Sequence, residues 1–329
     1  MQAGVVPGYR ELLARGELGE RVGAARKLLE SCTLCPRRCK VNRREGKLGK
    51  CRTGAEAVVS SYGPHFGEER PLVGRGGSGT IFLTNCNLEC IFCQNYDISQ
   101  AGRMGTLRLR SGQAVPELRD SPPVMQGQGE QVSVSALAGM MLSLQQRGCH
   151  NINWVTPTHQ MPQLLAALEV AAEQGLARPV VYNCGGYESL EALRLLAGVV
   201  DIYMPDAKYG SNESGERLSG VPDYWDRCQE ALAEMHRQVG DLVIDEGGLA
   251  RRGLLVRHLV LPEELAATRT VMRFLAGLSR DTYVNVMAQY RPAHRAGEAA
   301  ELARPLRRPE YQQALAWAEE AGLHRLEGR

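Results

Sequence analysis

Three cysteines, Cys86, Cys90 and Cys93, lie within eight residues and have the spacing C-x3-C-x2-C. Thiolates on so short a loop can converge on one iron–sulfur cluster, which four cysteines usually hold. No fourth cysteine lies nearby in the sequence, so one iron would keep an open position, as catalytic metal sites do. A zinc site completed by a distant residue and a set of buried cysteines are the alternatives. The spacing and the polar neighbouring residues favour the cluster.

A second group of cysteines precedes the first. Cys32, Cys35, Cys39 and Cys51 have the spacing C-x2-C-x3-C-x11-C in a short basic segment. Four thiolates suit either structural zinc or a further [4Fe-4S] cluster, and basic neighbours stabilise the negative charge of both. A loop with so little apolar content needs a metal to hold it together. The spacing predicts a metal site and leaves both metals open.

The chain from about residue 32 to its end resembles the radical S-adenosylmethionine (radical SAM) superfamily. The resemblance is to the branch of enzymes like the pyruvate formate-lyase-activating enzyme, and within it to a group with an extra N-terminal four-cysteine motif. The segments that carry it are the three-cysteine loop and residues 63–69 (GPHFGEE), 156–159 (TPTH), 182–187 (YNCGGY), 204–209 (MPDAKY) and 256–262 (VRHLVLP).

This resemblance implies a chemistry for the three-cysteine loop. In the superfamily such cysteines hold a [4Fe-4S] cluster whose fourth iron is chelated by S-adenosylmethionine. One electron, from a donor such as flavodoxin or ferredoxin, cleaves the sulfonium to methionine and a 5′-deoxyadenosyl radical, which abstracts hydrogen from a substrate. The cofactor supplies the difficult chemistry, and the protein orients it and excludes water.

The resemblance also assigns residues to the cofactor. In the activating enzymes, an Asp-x-Lys after one strand and an arginine on the next help to anchor the carboxylate of S-adenosylmethionine. These positions match Asp206, Lys208 and Arg257. Asn183 aligns where those enzymes carry an aspartate, so the chain departs from their cation site. A surface ion pair worth under about 1 kcal/mol is the alternative interpretation of Asp206 and Lys208.

Three further residues are candidates for cofactor contacts. Thr156 follows a predicted strand, and its hydroxyl could receive the amine of S-adenosylmethionine; ordinary turn chemistry is the alternative. Phe92, between two cluster cysteines, is expected to cover the adenine or to shield the cluster. His294 is a candidate for contact with the ribose or the substrate, although a histidine in a polar loop is more often solvated.

Several functions are compatible with these residues. The leading hypothesis is an oxidoreductase-type radical SAM enzyme acting on an unidentified substrate, with activation of a protein glycyl-radical enzyme as one such role. An epimerase or another enzyme that modifies a small molecule is the alternative within the same class. A zinc or iron–sulfur scaffold without turnover is the alternative from another class. Fold resemblance does not fix the substrate.

The order of predicted elements indicates how these residues are positioned. Strands are expected at 80–83, 151–155, 179–182, 200–204, 254–261 and 283–287, with helices between most of them. Strands that alternate with helices form a parallel sheet, because each parallel pair needs a crossover connection. The expected fold is therefore α/β, a partial (β/α)6 TIM-type barrel with a small N-terminal cysteine-rich appendage. Its chemistry would lie on the loops after the strands.

The expected domains are residues 1–75, an N-terminal helix with the cysteine-rich segment, and 76–329, the radical SAM barrel. The helix is predicted over 7–30, a short strand over 57–61, and helices over 135–147, 161–174, 188–197, 223–239, 263–278 and 311–321. The polar segment 102–130 lacks periodicity and is expected to be an exposed, mobile insertion.

Composition narrows the class of protein. The 329 residues are 43% hydrophobic and carry 39 Lys and Arg against 37 Asp and Glu. This near balance gives no general attraction to nucleic acid or to an acidic membrane surface. No apolar run reaches the length of a membrane span, and no signal peptide is recognisable. A cytoplasmic enzyme is expected, in which ten cysteines serve metal or redox chemistry.

Overall fold

The computed structural model describes residues 6–100 and 129–327 and has a mixed α/β architecture. The strands of the described residues are β1 (Ala57–His65), β2 (Ser78–Leu83), β3 (Glu130–Val132), β4 (Ile152–Val155), β5 (Val180–Cys184), β6 (Ile202–Pro205), β7 (Val243–Ile244), β8 (Ala250–Leu259) and β9 (Tyr283–Met287). The helices are α1 (Gly8–Ala14), α2 (Glu17–Lys27), α3 (Arg70–Val73), α4 (Tyr96–Ser99), α5 (Val134–Gln146), α6 (Met161–Glu173), α7 (Leu190–Leu195), α8 (Asn212–Ser219), α9 (Tyr224–Val239), α10 (Thr268–Leu278) and α11 (Arg308–Glu320).

Six parallel strands form the main part of the sheet. Strands β2, β4, β5, β6, β8 and β9 pair in this order, each parallel to the next. They are the six strands predicted from the sequence, so the expected parallel α/β sheet is confirmed, with strand ends shifted by a few residues. Because the strands are parallel, all their carboxyl ends meet at one edge, where open α/β sheets bind ligands.

Antiparallel strands extend the β2 end of this sheet and add a short strand beside the beginning of β8. β1 pairs with β2, and β3 pairs with β1, while β7 pairs with β8. The strand predicted over 57–61 therefore continues to His65. β3 and β7 were not predicted, because two or three residues carry no detectable alternation. In the described parts of the chain the sheet does not close on itself.

The two faces of the sheet differ in what covers them. Residues such as Ile81, Trp154, Tyr182 and Val256 belong to the large apolar core that the helices cover. Their alternate neighbours point to the opposite face, here called the second face, because side chains alternate along a strand. The second face has a smaller apolar cluster formed by Leu72, Val181, Ile202, Met204, Leu242, Ala250 and Leu255.

Two of the predicted helices are interrupted in the structure. The helix predicted over 7–30 is two helices, since Gly16 between them has the left-handed φ of 76°. The helix predicted over 263–278 begins only at Thr268, because Glu263, Glu264 and Ala267 all have positive φ. Such residues break a right-handed helix. In contrast, Gly148 ends α5 with a φ of 83°, as predicted.

The predicted insertion falls almost wholly outside the described residues. Its last residue, Glu130, is the first residue of β3 and pairs with Val59, which corrects the expectation that this end lies in a loop. At the other end of the fold, α8 was not predicted, since its polar sequence has only one apolar position. Its carboxyl end contacts the three-cysteine loop, as described below.

Candidate functional site

The three-cysteine loop follows β2 at the carboxyl edge of the sheet. It leaves the strand through Asn85, which has a left-handed φ of 66° and whose amide donates to Ile98 O at 2.9 Å. The amide of Ile91 donates to Leu218 O at 2.9 Å, and Ile91 O accepts from the amide of Arg295 at 2.8 Å. Backbone bonds to α8 and to the segment after β9 thus fix the loop in place.

Each of the three sulfurs has a polar hydrogen atom nearby. The amide of Leu88 donates to Cys86 Sγ at 3.3 Å, Ser219 Oγ donates to Cys90 Sγ at 3.0 Å, and Cys93 Sγ lies 3.2 Å from Ser99 Oγ. Burial, and then the neighbouring sulfur of Cys90, raises the pKa of both the Cys86 and Cys93 thiols. These thiols need a nearby cation to become thiolates, and the hydrogen-bond donors close to the sulfurs would stabilise the negative charge of the thiolates.

Asp206 joins the two predicted cations. Its Oδ2 accepts from Lys208 Nζ at 2.6 Å, and its Oδ1 accepts from Arg257 Nε at 2.8 Å. Burial alone would raise the pKa of Asp206, but the charges of Arg257 and Lys208 overcome this and lower it. The exposed surface pair considered as an alternative does not fit, because the three side chains are only 16% to 21% exposed.

This charged group lies against the cysteine loop. A Cβ built on Gly185 would lie 2.8 Å from Leu88 Cδ1 and 3.7 Å from Lys208 Cε, so the loop and the lysine both lie against Gly185. Burial acts to lower the pKa of Lys208, but Asp206 and then the sulfur of Cys90 raise it above its ordinary value. The structure therefore brings a lysine ammonium to the edge of the three sulfurs.

Thr156 and Asn183 lie at the same edge. Thr156 directly follows β4 and has a φ of 60°, and its amide donates to Asn183 O at 2.8 Å. A left-handed conformation is unusual for a β-branched residue, and such strained backbone is common at functional sites. Asn183 Oδ1 accepts from Arg257 Nη2 at 2.7 Å, so Asn183 orients the arginine.

Phe92 and His294 pack beside the loop. The ring of Phe92 is buried and lies edge-on to Tyr209 and Tyr290, with centroids 6.2 and 6.0 Å away. The ring of His294 stacks on Tyr96, with centroids 5.0 Å apart. His294 thus lies next to α4, which follows the cysteine loop.

The four N-terminal cysteines come together in space. Cys32, Cys35, Cys39 and Cys51 line one small cavity. The amide of Lys50 donates to Cys39 Sγ at 3.5 Å, and burial raises the pKa of the Cys35 thiol to about 12. Arg38, Lys40 and Arg52, which adjoin these cysteines, all have positive φ. The backbone is thus bent around the cavity at a cost that a bound metal would offset.

This cavity borders the three-cysteine loop. Asn87 also lines it, next to Cys86 in the sequence, and Asn87 O accepts from Arg37 Nε at 2.6 Å. Asn85 Nδ2 donates to Thr53 Oγ1 at 3.3 Å, and Lys50 forms an ion pair with Glu89 at 3.2 Å. The N-terminal cysteines and the three-cysteine loop therefore lie side by side, with Asn85 and Asn87 between them.

The chemistry of both cysteine groups suits a metal ion or an iron–sulfur cluster, because thiolates bind either. In residues 6–100 and 129–327, no group of three or more His, Cys, Asp or Glu side chains is arranged to hold one metal ion. A [4Fe-4S] cluster takes each sulfur at a different iron of a cube, so its ligands surround the group instead of meeting at one point. The hydrogen-bond donors that point at the sulfurs of the three-cysteine loop would stabilise thiolate ligands of this kind.

Residues that sequence reasoning missed are buried carboxylates. Glu188 is 2% exposed and accepts from Thr158 Oγ1 at 2.7 Å and from Tyr182 OH at 3.0 Å. Burial raises the pKa of Glu188 to about 7. Glu69 is 5% exposed and accepts from Asn285 Nδ2 at 3.0 Å. The signal for Glu188 is a glutamate beside an otherwise apolar element, which is too common to be diagnostic. Glu69 lies in the matched segment 63–69, where the resemblance assigns it no role.

Within the described ranges, no helix is long and apolar enough to cross a bilayer. Comparison with known families finds no family model that matches the chain. A curated relative, Uncharacterized protein MJ0674 of Methanocaldococcus jannaschii, is 34% identical over 306 residues. The match covers 92% of this chain and 78% of the relative. The chain therefore belongs to the same protein family as MJ0674.

Proposed function

We propose that this protein is a radical SAM enzyme whose [4Fe-4S] cluster is held by Cys86, Cys90 and Cys93. The observation that carries the proposal is the closeness of Lys208, which Asp206 holds, to the sulfurs of Cys90 and Cys93 at the carboxyl edge of a parallel sheet. Loaded with its cluster, such a site supplies the reductive cleavage of S-adenosylmethionine and hydrogen-atom abstraction from a substrate. We further propose that the six consecutive parallel strands are the partial barrel of that superfamily.

The residues around the loop have distinct tasks in this proposal. Lys208, held by Asp206, presents its ammonium beside the sulfurs, where it stabilises their negative charge and can receive an anionic group of the cofactor. Arg257 has four acceptors around it: Asp206, Asn183, Glu68 at 3.9 Å and Glu69 at 4.0 Å. A guanidinium so fully engaged orients Asp206, so we assign Arg257 a positioning role and Lys208 the direct contact.

The test begins with iron and sulfide analysis of anaerobically purified protein. The triple variant Cys86→Ala, Cys90→Ala, Cys93→Ala should lose about four irons per chain relative to the wild type. Cys149→Ala is the matched control, because Cys149 is fully buried and outside both cysteine groups. Reduced wild-type protein should convert S-adenosylmethionine to 5′-deoxyadenosine, and the triple variant should not.

The opposite results would overturn the proposal. Equal iron in the wild type and the triple variant would mean that the loop holds no cluster. Full iron without any 5′-deoxyadenosine would favour the scaffold without turnover. A cluster that gives no spectroscopic change on addition of S-adenosylmethionine would mean that no iron is open to the cofactor.

For the N-terminal cavity we propose a metal site with Cys32, Cys35, Cys39 and Cys51 as ligands. The four sulfurs around one cavity support it, and the triple variant isolates it from the other group. Zinc in the triple variant at about one per chain would identify a structural site, whereas about four irons would identify a second cluster. If the triple variant contained neither zinc nor iron, the proposed site would be refuted.

A further inference from the structure

Arg43 is a buried cation in the cysteine-rich segment. It is 1% exposed, although Arg44 and Glu45, which follow it in the same short turn, are exposed. Within residues 6–100 and 129–327 its guanidinium forms hydrogen bonds but no ion pair with a carboxylate. A charge that is buried without an opposite charge is costly, so buried arginines are normally paired. The position of Arg43 therefore calls for an anion beside it.

The guanidinium of Arg43 lies at the cavity of the N-terminal cysteines. Its Nε and Nη2 donate to Gly54 O at 3.0 and 2.6 Å, and its Nη1 donates to His159 O at 2.8 Å. Nη1 also donates to Cys32 Sγ at 3.9 Å. The two carbonyl oxygens carry no net charge. Among the residues that line this cavity together with Arg43, only the cysteines can become anions.

A bound metal would give these cysteines the charge that Arg43 lacks. Metals bind thiolates, so the cysteines lose their protons when a metal binds. Four thiolates around a zinc ion leave a net charge of about −2, and a [4Fe-4S] cluster held by four thiolates is likewise an anion. Arg37, the other arginine at the cavity, is partly exposed, so water can solvate it. The burial of Arg43 is thus explained by a metal centre and not by four neutral thiols.

Arg43 also connects the N-terminal cysteines to the end of β2. The carbonyl oxygen that Nη1 contacts belongs to His159, whose ring Nε2 lies 2.8 Å from Thr84 O. A carbonyl oxygen only accepts, so Nε2 carries a proton and donates it. Thr84 is two residues before Cys86, the first cysteine of the three-cysteine loop. Two hydrogen bonds therefore lead from the guanidinium to the start of this loop.

The cysteine-rich segment holds the three-cysteine loop at three further points. They join, in pairs, Arg37 and Asn87, Thr53 and Asn85, and Lys50 and Glu89. The segment itself has little apolar content, so its order depends on what its cysteines bind. Whatever orders this segment therefore also orders the residues on both sides of Cys86.

We propose that Arg43 is the counter-ion of the N-terminal metal centre, and that metal binding there fixes the three-cysteine loop through Arg43 and His159. Arg43 is a positioning residue, since it touches Cys32 and the His159 carbonyl and no reacting atom. The inference rests on the N-terminal metal site proposed above. It does not depend on radical SAM chemistry at the other cysteine group.

The test of the counter-ion uses the full-length triple variant Cys86→Ala, Cys90→Ala, Cys93→Ala, which keeps the N-terminal cysteines. After removal of its metal, the protein is titrated with Co²⁺, a substitute for zinc whose bonds to thiolates absorb visible light. Arg43→Gln in this background removes the charge but keeps a donor for Gly54 O, and it should weaken Co²⁺ binding about 10-fold or more.

Two matched variants identify the cause of that loss. Arg43→Lys keeps the positive charge and should restore most of the Co²⁺ affinity. Arg44→Gln should leave the affinity unchanged, because Arg44 is exposed and pairs with Glu30 at 2.6 Å. If Arg43→Gln does not fold, Arg43→Met takes its place in the same comparison, since methionine is also uncharged and suits a buried position.

Melting temperatures separate this role from a purely structural one. The rise in melting temperature caused by saturating Co²⁺ should be smaller in Arg43→Gln than in Arg43→Lys, because a ligand stabilises the folded state according to its affinity. An arginine that only binds the carbonyls of Gly54 and His159 would give equal losses with and without Co²⁺. Such equal losses, or equal Co²⁺ affinity in Arg43→Gln and its parent, would overturn the inference.

Hydrogen exchange tests the connection to the three-cysteine loop. In the triple variant, Co²⁺ should slow amide exchange over residues 84–91 and leave α11 unchanged, and Arg43→Gln at saturating Co²⁺ should lose part of this protection. Bound Co²⁺ without any change at 84–91 would refute the connection. Failure of the parent to bind Co²⁺, with neither zinc nor iron in the purified protein, would instead refute the metal site itself. Absence of 5′-deoxyadenosine from the wild type would refute only the radical SAM proposal.

Discussion

Replacing Glu188 by glutamine should remove a pH dependence of stability that the wild-type protein has. Glu188 is buried and its pKa is raised from 4.5 to about 7, chiefly by burial. Glutamine resembles the protonated glutamate in shape and hydrogen bonding. One of the Thr158 and Tyr182 hydroxyls can keep donating, to the amide oxygen, while the other turns to accept from the amide nitrogen, so the substitution chiefly tests the effect of charge.

The sign follows from proton binding in the two states. Between pH 4.5 and 7 the unfolded chain has lost the Glu188 proton while the folded protein retains it. Stability therefore falls as pH rises through this interval. The difference between the two pKa values corresponds to roughly 3 kcal/mol of destabilisation once the pH is above 7. Below pH 4.5 this destabilisation is absent.

The assay is urea denaturation of the wild type and Glu188→Gln at pH 5, 6, 7 and 8, in the same metal-loaded state. The variant should gain about 2–3 kcal/mol relative to the wild type between pH 5 and pH 8. Glu191→Gln, at an exposed position three residues on, should show no such change. Parallel stability curves for the wild type and Glu188→Gln would refute the reasoning, since Glu188 would then be ionised equally in both states.

Three further substitutions test other parts of the site. Asp206→Asn removes the carboxylate shared by two cations and should lower the free energy of unfolding in urea by about 3 kcal/mol. The control Asp226→Asn, at an exposed position, should lower it by less than about 1 kcal/mol. Equal losses for the two variants would contradict the network around Asp206. Gly186→Ala should destabilise the protein by more than about 2 kcal/mol, because φ is 77° and a Cβ would lie 2.3 Å from Asp206 O, whereas Gly139→Ala in α5 should stabilise it slightly. A Gly186→Ala variant of wild-type stability would mean that the backbone at this turn differs. Thr156→Gly should raise the free energy of unfolding by about 1 kcal/mol, as its φ of 60° strains threonine, and a loss of stability would show that the side chain contributes more than the strain costs.

The sequence by itself determined the six parallel strands, most of the helices between them and the two local groups of cysteines. Alternation of apolar runs and helices predicted the six parallel strands, because each strand must be buried and each crossover needs a helix. The short spacing of Cys86, Cys90 and Cys93 places them on one loop in any fold. The order of the strands then places Asp206 and Arg257 at the same edge of the sheet, since parallel strands end together.

Only the tertiary structure decided which side chains meet across the sheet. Asn87 lines the cavity of the N-terminal cysteines and thereby places it beside the three-cysteine loop, which the spacing of neither group predicts. The burial of Glu69, Glu188 and Asn153 was likewise invisible in the sequence, because a polar residue between apolar ones occurs equally on exposed strands. Burial and partner atoms depend on chain segments distant in sequence, and the composition of one segment does not contain that information.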